Sequence, residues 1–97
     1  LSVAKRAYAA APKSPAVQDT YGWALVESGE LDKGLELIRE AARGLPGVAE
    51  VQYHLGAALA RKGETDEARR ILQQVVGAKA PASVRTGAEA ELAKLGR

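Results

Sequence analysis

Residues 17–32, VQDTYGWALVESGELD, are answered 34 positions later by residues 51–66, VQYHLGAALARKGETD. Eight positions are identical: Val17/Val51, Gln18/Gln52, Gly22/Gly56, Ala24/Ala58, Leu25/Leu59, Gly29/Gly63, Glu30/Glu64 and Asp32/Asp66. Such a period marks a repeated helix–turn–helix unit. One unit cannot bury its own apolar face, so units must stack on their neighbours. The fold class that follows is all-α, a solenoid of stacked helix pairs. A stack of this kind leaves a groove, and a groove without chemistry in it is suited to polypeptide.

Around this core the helices are punctuated clearly. Val3, Ala4, Ala7 and Tyr8 line one side of a short helix over residues 1–10 that stops before Pro12. Ser14-Pro15 combines a capping hydroxyl with proline at a first helical position. The next helix, about 16–28, carries Val17, Tyr21, Ala24 and Leu25 on one face, and Gly29 ends it. Leu31, Leu35, Ile38, Ala41, Ala42 and Leu45 continue to the break at Gly44-Leu45-Pro46-Gly47. In the second unit Val51, Leu55, Ala58 and Leu59 form the stripe up to Gly63. Thr65 is expected to cap the following helix, with Asp66 and Glu67 in its first turn. Ala68, Ile71, Leu72, Val75 and Val76 line that helix to Gly77. After Pro81, Val84, Ala88, Leu92 and Leu95 give a last helix backed by Arg85, Glu89, Glu91 and Lys94, a polar terminal cap. The organisation read from this is a partial repeat over 1–14, repeats over 15–48 and 49–82, and a capping helix over 83–97, six helices in all.

Composition narrows the function classes. The 97 residues suit one small domain, worth about 5–15 kcal/mol of stability. There is no cysteine, hence no disulfide, thiolate metal site or cysteine nucleophile. Neither a signal peptide nor a run of about 20 apolar residues is visible. The chain opens without methionine, in what reads as the middle of a repeat, which suggests a piece of a longer protein. The net charge is only +2, and Lys and Arg are interspersed with Asp and Glu. In the basic cluster Arg61-Lys62 and Arg69-Arg70, the intervening Glu64, Asp66 and Glu67 should neutralise the charge. A helical-repeat nucleic-acid binder is therefore the unlikely alternative, and no nucleic-acid partner is expected.

Unit two carries Leu55-Gly56, Gly63, Ala68 and Val75, with Pro81 closing it; unit one carries Tyr21-Gly22, Gly29, Gly34, Ala41 and Pro46; Ala7 and Pro12 look like the tail of a unit before them. In these marks the chain resembles the tetratricopeptide repeat (TPR) family over nearly its whole length. The resemblance implies a right-handed stack and a scaffold that binds protein or peptide partners. A narrower resemblance rests on Asp19-Thr20, Gly22-Trp23, Tyr53-His54-Leu55 and Ala68-Arg69-Arg70. These strings are similar to the C-terminal repeats of bacterial TPR lipoproteins associated with PEP-CTERM protein sorting. That resemblance implies a periplasmic or outer-membrane-associated parent; without it the expectation is cytoplasmic.

In the family the first helix of each unit lines the concave face. Carried onto this chain, the resemblance places Asp19, Trp23, Val26 and Glu27 of unit one and Glu50, Tyr53, Ala57 and Arg61 of unit two toward the groove. Trp23 lies off the apolar stripe of its helix and, with Tyr53 beside it, reads as an anchor for an apolar ligand side chain. Asp19, Glu27 and Glu50 would favour a basic or amide-rich peptide, with His54 and Arg61 around them. The family's carboxylate-clamping subclass is disfavoured, since Asp19, Trp23, His54, Val84 and Ala88 stand at the matching places. His54, the sole histidine, has no cysteine, aspartate or second histidine at metal spacing, so no metal site is expected, nor any cofactor. Ser2, Ser14, Ser28 and Ser83 fall at caps or helix ends and no carboxylate pair is isolated among apolar residues, so no catalytic residue is expected and the chain reads as no enzyme. The alternative to a binding groove is a purely structural terminal segment of a longer solenoid. The short first helix lacks a partner, and self-association through it is expected.

Overall fold

A computed structural model describes residues 1–96. Six helices follow one another: α1 (Ser2–Ala10), α2 (Pro15–Glu27), α3 (Leu31–Gly44), α4 (Ala49–Lys62), α5 (Thr65–Gly77) and α6 (Ala82–Leu95). No strand occurs among the described residues, and no helix is long and apolar enough to cross a membrane. The final residue of the expected cap, Arg97, lies outside the described residues.

The identities between the two units have local physical reasons. Gly29 and Gly63 take left-handed φ values of 97° and 93°. Beyond each glycine the amide of Glu30 or Glu64 donates back to the carbonyl of Leu25 or Leu59, at 2.8 and 2.9 Å, the bond that closes a Schellman turn. Gln18 donates its side-chain amide to the carbonyl of Pro12 at 2.9 Å, and Gln52 does the same to Pro46 at 3.4 Å. The repeated glutamine thus ties each unit's first helix to the proline that closes the unit before it. Ser14 caps α2 as expected, its hydroxyl accepting from the Val17 amide at 3.4 Å, with Pro15 in the first turn. Thr65 does not cap α5. It is already the first helical residue, and its hydroxyl donates back to the Gly63 carbonyl at 3.5 Å.

Within a unit, close helix approach depends on missing side chains. A Cβ on Gly34 would sit 2.5 Å from the Gly22 carbonyl oxygen and 2.6 Å from Val26 Cγ2. A Cβ on Gly22 would meet the Gly34 oxygen at 2.9 Å. The two glycines therefore set the spacing of α2 and α3. In unit two Gly56 makes room for the Leu72 side chain instead, since a Cβ there would come within 2.7 Å of it. One core runs through the stack from Val26 through Ile38, Leu55, Leu59 and Leu72 to Val84 and Ala88. Ile38, Leu59 and Leu72 are its largest fully buried side chains.

Between units the first helices pack side by side: α2 touches α4, and α4 touches α6. The Cα traces of α3 and α5 stay more than 8 Å apart. The layer of first helices is thus the tighter one, which curves the stack toward it. Because α2 has neighbours on three sides, its buried residues are Gln18, Asp19, Gly22, Leu25 and Val26 rather than the expected Val17/Tyr21/Ala24/Leu25 stripe. Tyr21 instead packs its ring on Tyr8 of α1, with centroids 5.0 Å apart. Helix α1 buries no residue, and Val3 stays 70% exposed.

Three outcomes test this packing. Gly34→Ala should lower stability by about 1–3 kcal/mol through overpacking against rigid backbone, whereas Gly47→Ala, with nothing within 4 Å of the new Cβ, should leave the thermal midpoint in place or raise it. Leu55→Ala should cost about 2–5 kcal/mol, a large share of the total, as read from a urea titration. The third concerns Arg39 of α3, which grips Glu67 of α5 with two hydrogen bonds of 3.2 and 3.1 Å. That grip holds the Glu67 carboxyl below its usual range. The stabilisation is therefore present above the ordinary glutamate range and lost as pH falls through the lowered folded value. Glu67→Gln should cost about 0.2–1 kcal/mol at neutral pH and remove its share of the acid loss.

Candidate functional site

The inner layer of α2, α4 and α6 brings most of the expected groove residues into one cluster. Asp19, Trp23 and Glu27 follow at one-turn intervals along α2, and Glu50, His54 and Arg61 run along α4 with Tyr53 beside them. At the centre the Trp23 and His54 rings stack, with centroids 4.5 Å apart and planes at 16°. Tyr53 lies tilted against both, 6.0 Å from Trp23 and 5.5 Å from His54. The Arg61 guanidinium sits 5.0 Å over the Trp23 ring, a cation–π arrangement.

Several of these side chains are already engaged within the chain. Asp19, expected as an open carboxylate, is only 4% exposed. Its two carboxylate oxygens accept from His54 Nδ1 at 2.9 and 3.0 Å, which fixes the proton on Nδ1 because a carboxylate only accepts. His54, expected around the groove, is buried by the same contact and by Trp23. Trp23 is itself half-buried against the core, so the core claims one side of it. Val26 and Ala57 do not reach the groove. Both are buried, Val26 against Gly34 and Ala57 within the layer of first helices.

Helix α6 contributes Glu91, which its sequence placed on the polar back, and Gly87. Glu91 is buried; its carboxylate lies 3.8 Å from Arg61 and 3.4 Å from Lys94. Gly87 gives the Tyr53 ring a flat seat, since a Cβ there would fall 2.7 Å from Cζ. Burial pushes the Tyr53 hydroxyl above its ordinary value, and the negative charge of Glu91 adds to this. Glu27 and Glu50 remain exposed on the rim.

Arg69 pairs with one of the intervening acids, Asp66 at 3.8 Å, as expected, but the shorter contacts of these charged residues run to other helices. Lys62 bonds Asp32 of α3 at 2.6 Å, Arg69 donates to the Leu95 carbonyl at 3.1 Å, and Glu67 is held by Arg39. Val84 and Ala88, at the clamp positions of the disfavoured subclass, lie in the core. Ser14 and Ser28 are occupied at helix ends, Ser28 donating to the Leu25 carbonyl at 3.0 Å. The expectation that no aspartate stands at metal spacing from His54 fails in three dimensions, because the repeat lays position 19 beside position 53 and hence beside 54. Asp19, Glu50 and His54 converge, with one donor atom of each within 4.8 Å of the other two.

A sequence model of the tetratricopeptide repeat family matches residues 25–92. Neither the curated proteins nor the solved structures provide a match. The matched span covers most of the two units and reaches into α6, so it contains the Schellman turn glycines, the core and the α4 half of the aromatic cluster. On this match and this architecture, the chain belongs to the tetratricopeptide repeat family, whose members are non-enzymatic scaffolds that generally mediate protein–protein interaction.

Proposed function

We propose that the inner face of α2, α4 and α6 docks a polypeptide, with Trp23 and Tyr53 as its apolar anchor. The observation that carries this reading is the aromatic pair itself. Two half-buried rings from consecutive units lie 6.0 Å apart in the inner layer, each packed against the core on one side and partly exposed on the other. Large aromatic side chains in such positions account for much of the binding energy in protein interfaces. Around them the charges divide. Asp19 and Glu91 are spent on His54, Arg61 and Lys94, whereas Glu27 and Glu50 stand exposed. The rim is therefore acidic, and the segment that fits is an apolar or aromatic residue flanked by Lys or Arg. Arg61, held over Trp23 and near Glu91, orients the indole and leaves little positive charge for an acidic ligand.

Panning a random peptide library on the chain and measuring the selected peptides by fluorescence anisotropy tests the proposal. Trp23→Ala should weaken them by about 30-fold, the size of an interface hot spot, with Trp23→Phe retaining part of the affinity. Glu27→Lys should weaken basic peptides by a smaller factor that shrinks with added salt. Lys33→Ala, on the exposed side of α3, should change nothing. Peptides that bind the Trp23→Ala chain undiminished would remove the aromatic pair from the site.

A further inference from the structure

The docking reading uses Glu50 only as an exposed rim charge and gives no part to the convergence of Asp19, Glu50 and His54. Glu50 and His54 are one helical turn apart on α4, so their side chains lie on one face of it. Asp19 reaches them from α2, across the seam between the two units. Ligands held about 2.0–2.2 Å from one ion stand about 3–3.5 Å from one another. The Asp19 oxygens, at 2.9 and 3.0 Å from Nδ1, already lie close to that separation, and a carboxylate oxygen of the exposed Glu50 lies within 4.8 Å of both partners' donor atoms. Two carboxylates crowd one imidazole here, with Asp19 shielded from water, and a positive charge among them relieves their repulsion.

We propose that Asp19, Glu50 and His54 form a binding site for a divalent transition cation of the zinc class at the seam between the first and second units. One imidazole nitrogen with two carboxylate oxygens suits such an ion, whereas calcium and magnesium favour oxygen alone. On binding, His54 Nδ1 and one oxygen of each carboxylate bond to the ion and a water completes four-coordination; the Nδ1 proton leaves to solvent, and Nε2 carries the ring's one proton, taken up from solvent if the imidazole was neutral. The stacked Trp23 ring fixes the plane of the imidazole. With donors on both α2 and α4, the ion ties the two units together and so stabilises the folded chain. The site shares Glu50 and its Trp23 neighbour with the docking face, but its argument rests on none of the docking argument, so either can fail alone.

The test is a calorimetric titration of the whole chain with Zn2+, alongside thermal melts and Co2+ titrations followed through Trp23, the only tryptophan. Expected are one saturable site, a melting temperature that rises with Zn2+, and saturable quenching of Trp23 emission by Co2+ that Zn2+ reverses. Glu50→Gln, an exposed change, should leave the metal-free melting temperature in place and weaken Zn2+ by at least about tenfold, and His54→Gln should remove binding. If His54→Gln fails to fold, Glu50→Gln and the Trp23 signal still decide the matter. Zn2+ binding Glu50→Gln as tightly as the parent chain, Co2+ leaving Trp23 emission unchanged, or no saturable binding at all would overturn the site.

Discussion

Helix α4 has to be buried on nearly every side at once, and the rest of the stack is arranged around that demand. Seven of its residues are buried: Val51, His54, Leu55, Gly56, Ala57, Ala58 and Leu59. They face α5 within their own unit, α2 and α3 of the unit before, and α6 after. Only small residues allow a helix so many close neighbours, which is why Gly56, Ala57 and Ala58 sit in its middle. The apolar surface that α4 removes from water adds to the favourable term of folding. A helix pair on its own would leave the sides that α4 turns to α2, α3 and α6 wet.

Much of this was legible in the sequence because the fold repeats a local solution. Gly29 and Gly63 mark turns that only glycine makes cheaply, and a 34-residue period can be seen without any knowledge of contacts. The core positions of α3 and α5 followed from helical spacing, since those helices bury one face only. Helix α2 was read less well. It is apolar nearly all round and buries two polar residues, so no single stripe identifies its inner side. The repeated glutamine carries no sign of its partner in the sequence; only the fold brings Gln18 to the Pro12 carbonyl and Gln52 to that of Pro46.

The inner face was legible in outline but not in its wiring. The family pattern placed Asp19, Trp23, Tyr53 and Arg61 together, and they are together. It could not foresee that Asp19 would be taken by His54, because the two lie 35 residues apart and the repeat aligns Asp19 with Tyr53 rather than with His54. Nor could it foresee Glu91, which belongs to a capping helix that departs from the repeat. A polar residue on a helix defaults to solvent in sequence reading. Where another unit's helix packs against it, that default fails, and the residue is buried with a partner.

These errors share a cause that bears on how the stack is specified. Contacts within a unit are apolar and depend on backbone proximity, as at Gly22 against Gly34 or Gly56 against Leu72. The polar side-chain links between helices run from one unit to the next: Asp19 to His54, Arg39 to Glu67, Asp32 to Lys62, and Arg61 to Glu91. Apolar faces alone tolerate sliding, because one aliphatic neighbour serves much like another. A buried carboxylate and its imidazole tolerate no slip, since a shift of one turn would leave Asp19 buried without a donor. The apolar core thus supplies the adhesion of the stack, and the polar seams fix which turn of one helix lies against which turn of the next. The aromatic face inherits that register, for Trp23 and Tyr53 meet only when Asp19 and His54 do.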